Sequence, residues 1–227
     1  MRKLNLLLLL LIPFISQAQN DCEGFYIAKE GMSSTMKSYN AKGKFESSSI
    51  STILSRKNIP GGIELEVKAE TKDEKDKIQF SSNLTARCID NVFYMDMKGL
   101  IPEETMKGWE NMEMSIKGDF LETPSDLKAG QKLKDGLMNI EVSSSGMSMM
   151  TMVFEVKNRI VEGFEDITTS AGTFSCAKIS YDIHMKMLFN MQLKAVEWLA
   201  KGVGPVRVES YRGDKLQGYS ELAELKK

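Results

Sequence analysis

Apolar and polar residues alternate along most of this chain. From Ile63 to Glu70 every second residue is apolar and the residues between them are charged, and a similar period recurs from Ile78 to Cys88 and from Met112 to Lys117. Side chains of a β-strand point alternately to the two faces of a sheet, so each of these segments has one apolar and one wet face. The pattern therefore predicts an all-β, β-rich fold.

Short polar or glycine-containing segments separate the alternating stretches, as at 40–43, 58–62 and 71–76. Strands joined by such turns pair antiparallel with their chain neighbours. Because only one face is apolar, the sheet has to curve around its own core. We therefore expect a strongly curved antiparallel meander, a half-barrel of about ten strands, with a closed antiparallel β-barrel as the alternative. Pro102 and the two acidic residues after it also predict one short helix over 101–109.

Gly202 and Gly204 have the spacing found at the start of dinucleotide-binding loops. Such a loop needs a third glycine where this chain has Arg207, and a helix after it. The residues from Pro205 to Ser210 alternate like a strand instead. The two glycines therefore predict a hairpin turn, and we expect no cofactor.

The N-terminus has the composition of a secretory signal peptide. Arg2 and Lys3 precede an apolar run, and Ser16-Gln17-Ala18 follows it. We expect a signal peptide over 1–18 and one β-rich domain over 19–227. No aliphatic and small residues precede Cys22 as lipidation requires, and no later stretch is apolar enough for stable membrane insertion. The expected location is the periplasm, with the extracellular space as the alternative.

The net charge and the single histidine bear on two classes of function, nucleic-acid binding and catalysis. Removing Arg2 and Lys3 from the 30 Lys and Arg residues leaves 28 against 31 Asp and Glu, a net charge of −3. Nucleic acid is therefore not an expected partner. The one histidine, His184, falls on the wet face of its strand, without the partners of a zinc site or a catalytic triad. We expect a protein that is not an enzyme.

The chain has three cysteines: Cys22, Cys88 and Cys176. Export to an oxidising compartment permits a disulfide, and the odd count leaves one thiol over. Cys88 lies on the apolar face of its predicted strand, and Cys22 belongs to an N-terminal segment that has to be fixed somewhere. The favoured pair is Cys22–Cys88, with Cys176 as a buried thiol. The alternative is three free cysteines.

Methionine is unusually frequent, with 16 residues. Met-x-Met pairs occur at 95–97, 112–114, 147–152 and 185–187, and a spacing of two places both thioethers on one face of a strand. Three interpretations of that face are open: a filled core, a Cu(I) site, and an adaptable groove for an apolar ligand. The expected ligand-binding residues are Phe93, Met95, Met97, Met112, Met114, Met150, Met152, Phe154, Met185 and Met187.

Several motifs resemble a known family. They are EW-x-A-x-GVG-x-VR-x-E-x-Y from residue 197, GYSEL at 218–222, VEGFEDITTSAGTFSCAKISYDI at 161–183, GDFLETPSDLKAGQKLKDG at 118–136 and SYNAKGK at 38–44. The chain resembles the TapB family of exported Bacteroidota proteins, a family of unknown function. The resemblance implies an envelope protein with a curved antiparallel sheet, similar to the half-barrel of the lipoprotein carriers LolA and LolB. It implies no catalytic residue.

These observations lead to one functional expectation with two alternatives. We expect a non-enzymatic periplasmic binding or carrier module for a hydrophobic ligand, a lipid or a lipoprotein acyl chain. The first alternative is a structural or interaction protein in cell-envelope assembly, whose protein partner is unknown. The second is Cu(I) binding through the methionine clusters.

Overall fold

The structure is a computed structural model and describes residues 24–100, 112–118, 120–145, 147–186 and 190–226. The predicted signal peptide, Cys22 and the helix predicted at 101–109 lie outside the described residues. Within the described residues, the only helix is one 3₁₀ turn, Met97–Leu100. The strands are β1 (Ser33–Asn40), β2 (Phe45–Ile59), β3 (Gly62–Asp73), β4 (Ile78–Ile89), β5 (Val92–Asp96), β6 (Glu113–Gly118), β7 (Phe120–Pro124), β8 (Gly136–Ser144), β9 (Met147–Thr169), β10 (Gly172–Lys186), β11 (Asn190–Ala200), β12 (Gly204–Arg212) and β13 (Lys215–Lys226).

All thirteen strands form one antiparallel sheet, in the order β6-β8-β9-β10-β11-β12-β13-β1-β2-β3-β4-β5-β7. The sheet curls into a nearly closed barrel, which confirms the predicted all-β, strongly curved antiparallel fold. Thirteen strands replace the expected ten or so. Within the described residues no helix has the length and apolarity that a membrane crossing requires.

The two edge strands of the sheet, β6 and β7, are consecutive in the chain. The described ladder of β6 is with β8, and that of β7 is with β5. We call the gap between β6 and β7 the seam. Within the described residues the two sides of the seam meet through side chains instead of a backbone ladder, because Leu121 of β7 packs against the buried apolar cluster of β8 and β9.

Irregular pairing accounts for part of the curvature. Register shifts interrupt the ladders at Thr35/Met36, Ile53/Ser55 and Trp198/Leu199. An extra residue in one strand bends that strand and increases its twist, which helps a sheet to close on itself.

The N-terminal segment 24–30 packs against the cores of both halves of the sheet. Phe25 packs with Ile179 of β10, and Ile27 packs in the cluster around Leu65 of β3. Between them, the ring of Tyr26 stacks on Phe93 with centroids 4.2 Å apart. The segment therefore links the two halves of the barrel by apolar contacts.

The predicted turn at the paired glycines is confirmed. β11 ends at Ala200 and β12 begins at Gly204, with Gly202 and Gly204 at φ values of 68° and 100° that favour glycine. The N–H of Gly202 donates to the carbonyl of Gly24 at 2.9 Å. The turn thus also holds the start of the inner N-terminal segment.

Candidate functional site

Five methionines form one apolar cluster beside the seam, which we call the methionine cluster: Met97, Met114, Met138, Met150 and Met152. Met97 and Met138 are buried, at 1% and 4% exposure, whereas the other three are half-buried. Phe154 and Leu121 pack against the same cluster. Beside the seam, three half-buried thioether side chains therefore pack on two buried ones.

The strand register explains why these methionines meet. Met114 lies opposite Val142, which lies opposite Met150. Ile140 in turn lies opposite Met152 on the next rung of the β8–β9 ladder. Alternation within β6, β8 and β9 then places these side chains on one face.

A glycine allows the two sides of the seam to approach closely. A Cβ built on Gly136, at the start of β8, would lie 2.6 Å from Leu121 Cδ2 and 3.0 Å from Met97 Sδ. A larger residue at Gly136 would push these side chains away from β8 and widen the seam.

The barrel also contains a polar cluster, formed by Arg159, Glu197, Tyr26, Tyr181 and Thr123. Arg159 is 7% exposed and its Nη1 donates to the carbonyl oxygens of Glu122 at 2.9 Å and Lys134 at 2.8 Å. Its Nη2 donates to Thr123 Oγ1 at 3.5 Å. The guanidinium thus holds β7 and the segment before β8 against β9.

Burial and charge shift the ionisation of this polar cluster. Burial raises the pKa of the Glu197 carboxyl to about 7, and the Arg159 charge only partly offsets that rise. Burial also raises the pKa of the Tyr26 and Tyr181 hydroxyls, and the nearby Glu197 raises both further. Tyr181 additionally packs against the methionine cluster, so the polar and apolar clusters adjoin.

The alternation pattern did not predict this polar cluster. Asn158 has a φ of 56°, and the β9–β10 register shifts between Ser180 and Asp182, next to it in the sheet. This irregularity shifts the alternation of β9 by one residue. Arg159 therefore faces the interior, whereas strict alternation from Val156 would place it on the outer face. The signal available in the sequence was Asn158, in the Lys-Asn-Arg run between Val156 and Ile160, because Asn tolerates such a backbone.

A family model, DUF3108-like, matches residues 29–222, which include all the described strands except the end of β13. The chain belongs to the DUF3108-like family. Comparison with curated proteins finds no match.

Two solved structures resemble this DUF3108-like chain over 91% of its length and over 100% of theirs. One, from Bacteroides fragilis, is described as an exported protein with a YmcC-like fold; it is 25% identical, with a TM-score of 0.73. The other, from Parabacteroides distasonis, is described as a lipoprotein; it is 26% identical, with a TM-score of 0.73. The fold is thus shared with one protein described as exported and one described as a lipoprotein. The finer expectations, a TapB family name and a LolA- or LolB-like half-barrel, are not confirmed.

Half of the ten predicted ligand-binding residues meet in the methionine cluster or contact it. Phe93 and Met95 pack elsewhere, in the core cluster around Leu65, because β5 lies across the seam from β6. Met185 is half-buried opposite Phe154, and Met112 is 40% exposed. Met187 lies outside the described residues. The half that meets is Met97, Met114, Met150, Met152 and Phe154.

Metal binding in this DUF3108-like protein would depend on thioethers. The described residues contain no group of three or more His, Cys, Asp or Glu suited to a metal ion. His184 Nδ1 lies 3.7 Å from Glu155 Oε2, and alternation places it on the opposite face of β10 from Met185. A Cu(I) site would therefore have to use the methionine cluster without this histidine.

The cysteines agree with the predicted assignment as far as they are described. Cys176 is a free thiol and fully buried, and burial raises its pKa to about 11. Cys88 is 1% exposed in the core around Leu65. Because Cys22 lies outside the described residues, the Cys22–Cys88 pair stays a prediction.

Proposed function

We propose that this protein is a non-enzymatic carrier of the bacterial envelope, and that the methionine cluster receives the acyl chain of a lipid or lipoprotein. The observation that carries the proposal is the position of the methionine cluster at the seam. An acyl chain needs an apolar surface that can adapt to its shape, and unbranched thioether side chains provide one.

Opening the seam requires less energy in this proposal than separating two paired strands. Along most of the barrel, separating two strands would break a ladder of backbone hydrogen bonds, and each broken bond leaves polar groups to be satisfied. At the seam the described contacts are the apolar packing of Leu121 in the methionine cluster and the hydrogen bond from Arg159 to the Glu122 carbonyl, and no ladder between β6 and β7 is among the described strand pairs. A ligand can replace the apolar contacts with its own apolar surface, at about 25 cal/mol per Å² buried before ordering costs.

The descriptions of the similar structures support the compartment in the proposal. One of those proteins is described as exported and the other as a lipoprotein. We therefore propose that this chain also works in the envelope, in the periplasm, where membrane lipids and acylated proteins are available as ligands.

Binding is tested by titrating the protein with a fluorescently labelled hexadecanoic acid kept below its aggregation concentration. We expect saturable binding of wild type, weakened about tenfold in Met150→Gln, because an amide then replaces a thioether facing the ligand. Met149→Gln is the matched control, since Met149 is adjacent in the chain but 62% exposed. Circular dichroism establishes that both variants are folded.

The alternatives give different results in the same titration. Absence of binding by folded wild type would overturn the carrier proposal and favour a structural role in envelope assembly, for which the exposed edges of β6 and β7 offer pairing surfaces. Equal weakening by Met149→Gln and Met150→Gln would mean that the ligand binds outside the methionine cluster. Displacement of the fatty acid by Cu(I), supplied from a weak chelator, would favour the metal alternative.

A further inference from the structure

The four exposed methionines of the described residues lie at one end of the sheet. They are Met112, which directly precedes β6; Met147 and Met149 at the start of β9; and Met191 at the start of β11. Met147 and Met149 are 68% and 62% exposed, the highest values among the exposed large apolar residues. These antiparallel strands bring the start of β6, β9 and β11 to the same end as the last residues of β8 and β10.

The hairpin of β8 and β9 extends beyond its neighbour at this end. The described residues of β10 end at Lys186, which pairs with Val153, whereas β9 begins at Met147. Exposed Met147, Ser148 and Met149 therefore lie farther out than the end of β10. At about 3.3 Å per strand residue, the distance from Val153 to Met147 is roughly 20 Å.

The tip of the β8–β9 hairpin and the adjoining strand residues carry no charged side chain. No Asp, Glu, Lys or Arg occurs from Val142 to Phe154, although charged residues make up 27% of the chain. Glu141 and Glu155 border the stretch on either side. An exposed hairpin of this length that only needed solubility would carry charges, as the β3–β4 hairpin does at 72–77.

We propose that the tip of the β8–β9 hairpin docks on the surface of a lipid bilayer through Met147 and Met149. A bilayer is the occupant that fits an uncharged tip, because desolvating charges at the lipid surface would oppose docking, and Met and Ser leave none to desolvate. Met150 and Met152, on the same stretch of β9, belong to the methionine cluster. The docked tip is thus adjacent along β9 to the methionine cluster.

The depth of docking is limited by the backbone. Hydrogen-bonding groups along an unpaired strand edge are not tolerated in the hydrocarbon region, so the tip contacts the interfacial layer with its side chains only. The contact is therefore shallow and reversible, as a carrier that takes up its ligand from a membrane requires. This purpose rests on the proposed carrier function, whereas the docking itself is measured without a carried ligand.

The test is cosedimentation with sucrose-loaded vesicles of zwitterionic phosphatidylcholine and phosphatidylethanolamine, at low and at high salt. We expect wild type to bind at both salt concentrations, since the contact is apolar, and the double variant Met147→Gln/Met149→Gln to bind about tenfold more weakly. Phe164→Gln is the matched control, because Phe164 is a 54% exposed apolar residue of β9 far from the tip. It should bind vesicles like wild type.

Three results would overturn the docking. Wild type that stays in the supernatant, or a double variant that sediments like wild type, contradicts it directly. A concentration-dependent dimer that the double variant abolishes would assign the tip to a second copy of the chain. Fatty-acid binding is measured separately and without vesicles, so the docking can fail while the carrier proposal stands, and the reverse.

Discussion

Arg159 of β9 donates a 2.8 Å hydrogen bond to the backbone carbonyl of Lys134, which lies 25 residues earlier in the chain. The same nitrogen donates to the carbonyl of Glu122 at 2.9 Å. One buried side chain thus satisfies two carbonyl groups from a segment that runs across β9 without strand pairing over most of its length. Arg159 therefore stabilises the barrel near the seam by joining β9 to β7 and to the segment before β8.

Arg159→Met should destabilise the protein by about 2–4 kcal/mol, because two buried carbonyls lose their donor, although the variant also relieves the burial of a charge. Urea unfolding followed by circular dichroism measures the change. Lys157→Met is the control on the same strand, since the Lys157–Glu155 ion pair has a 41% exposed lysine and should contribute little. Equal stability of the two variants would contradict the stabilising role of the Arg159 hydrogen bonds.

Glu197→Gln should make stability less dependent on pH. The folded-state pKa of Glu197 is raised to about 7, so the folded state holds this proton more tightly than the unfolded state does. The stabilisation that results is complete below the unfolded pKa and is lost as the pH rises through about 7. Wild type should lose up to about 2 kcal/mol from this group between roughly pH 5 and pH 8, and the variant should not.

Glu155→Gln provides the comparison of opposite sign. The hydrogen bond from Lys157 lowers the pKa of Glu155, so this carboxylate stabilises the fold above its unfolded pKa, and the variant should lose stability at neutral pH. Thermal melts of wild type and both variants across the pH range supply the data. Parallel pH profiles for wild type and Glu197→Gln would contradict the raised pKa of Glu197 in the folded state.

Gly62→Ala should destabilise the protein strongly. Gly62 is the first residue of β3, and a Cβ there would lie 1.8 Å from the carbonyl oxygen of Cys88, so the β3–β4 ladder would have to shift. We expect a loss of at least about 2 kcal/mol. Gly163→Ala in β9 is the matched control, because a Cβ at Gly163 meets no atom within 4 Å. Similar melting temperatures for the two variants would contradict the close approach.

The predicted Cys22–Cys88 disulfide should be seen in a peptide map of the exported, non-reduced protein. Closing so long a loop is expected to stabilise the fold by about 4 kcal/mol in the chain-entropy estimate. Cys22→Ser and Cys88→Ser should lower the melting temperature by similar amounts, and the double variant should add little. A peptide that joins Cys176 to either partner would refute the assignment, as would identical melting of oxidised and reduced protein.

The mature chain should begin at or near Gln19 and carry no lipid. Mass spectrometry of the intact protein from the envelope fraction measures both properties. The expectation depends on the signal-peptide pattern and on Gln19-Asn20-Asp21, which lacks the small and aliphatic residues that lipidation requires. A diacylated Cys22 would place this chain with the relative that is described as a lipoprotein.

Local alternation predicted the strands and most of their antiparallel partners, but not the pairing of β5 with β7 and of β6 with β8. Ile63 and Leu65 are buried at 1% and 0% as the period of two requires, because the local pattern decides which face of a strand is apolar. Strand order depends on long-range packing, however: β7 returns to β5, while β8 pairs with β6. That crossing separates Met95 from Met114, two residues that the pattern placed on one surface.

The interior polar cluster was missed for a related reason. The general rule that charged residues face water holds for Glu64 and Glu66 in β3 but not for Arg159, which is buried. A single backbone irregularity at Asn158 reverses the rule locally, and no periodic pattern records it. The interaction of Glu197 with the Arg159 charge becomes visible only when both strands are in place.

The pairing of β1 with β13 affects the order in which the chain can fold. Ser33 and Lys226 are register partners, and this central ladder joins the two halves of the sheet. The first half therefore keeps the edge of β1 open until β13, the last described strand, is available. Contacts so distant in sequence form slowly, and an open edge invites aggregation. We infer that the barrel completes itself only when the whole chain is available, and that a chaperone able to shield β1 until then would raise its yield.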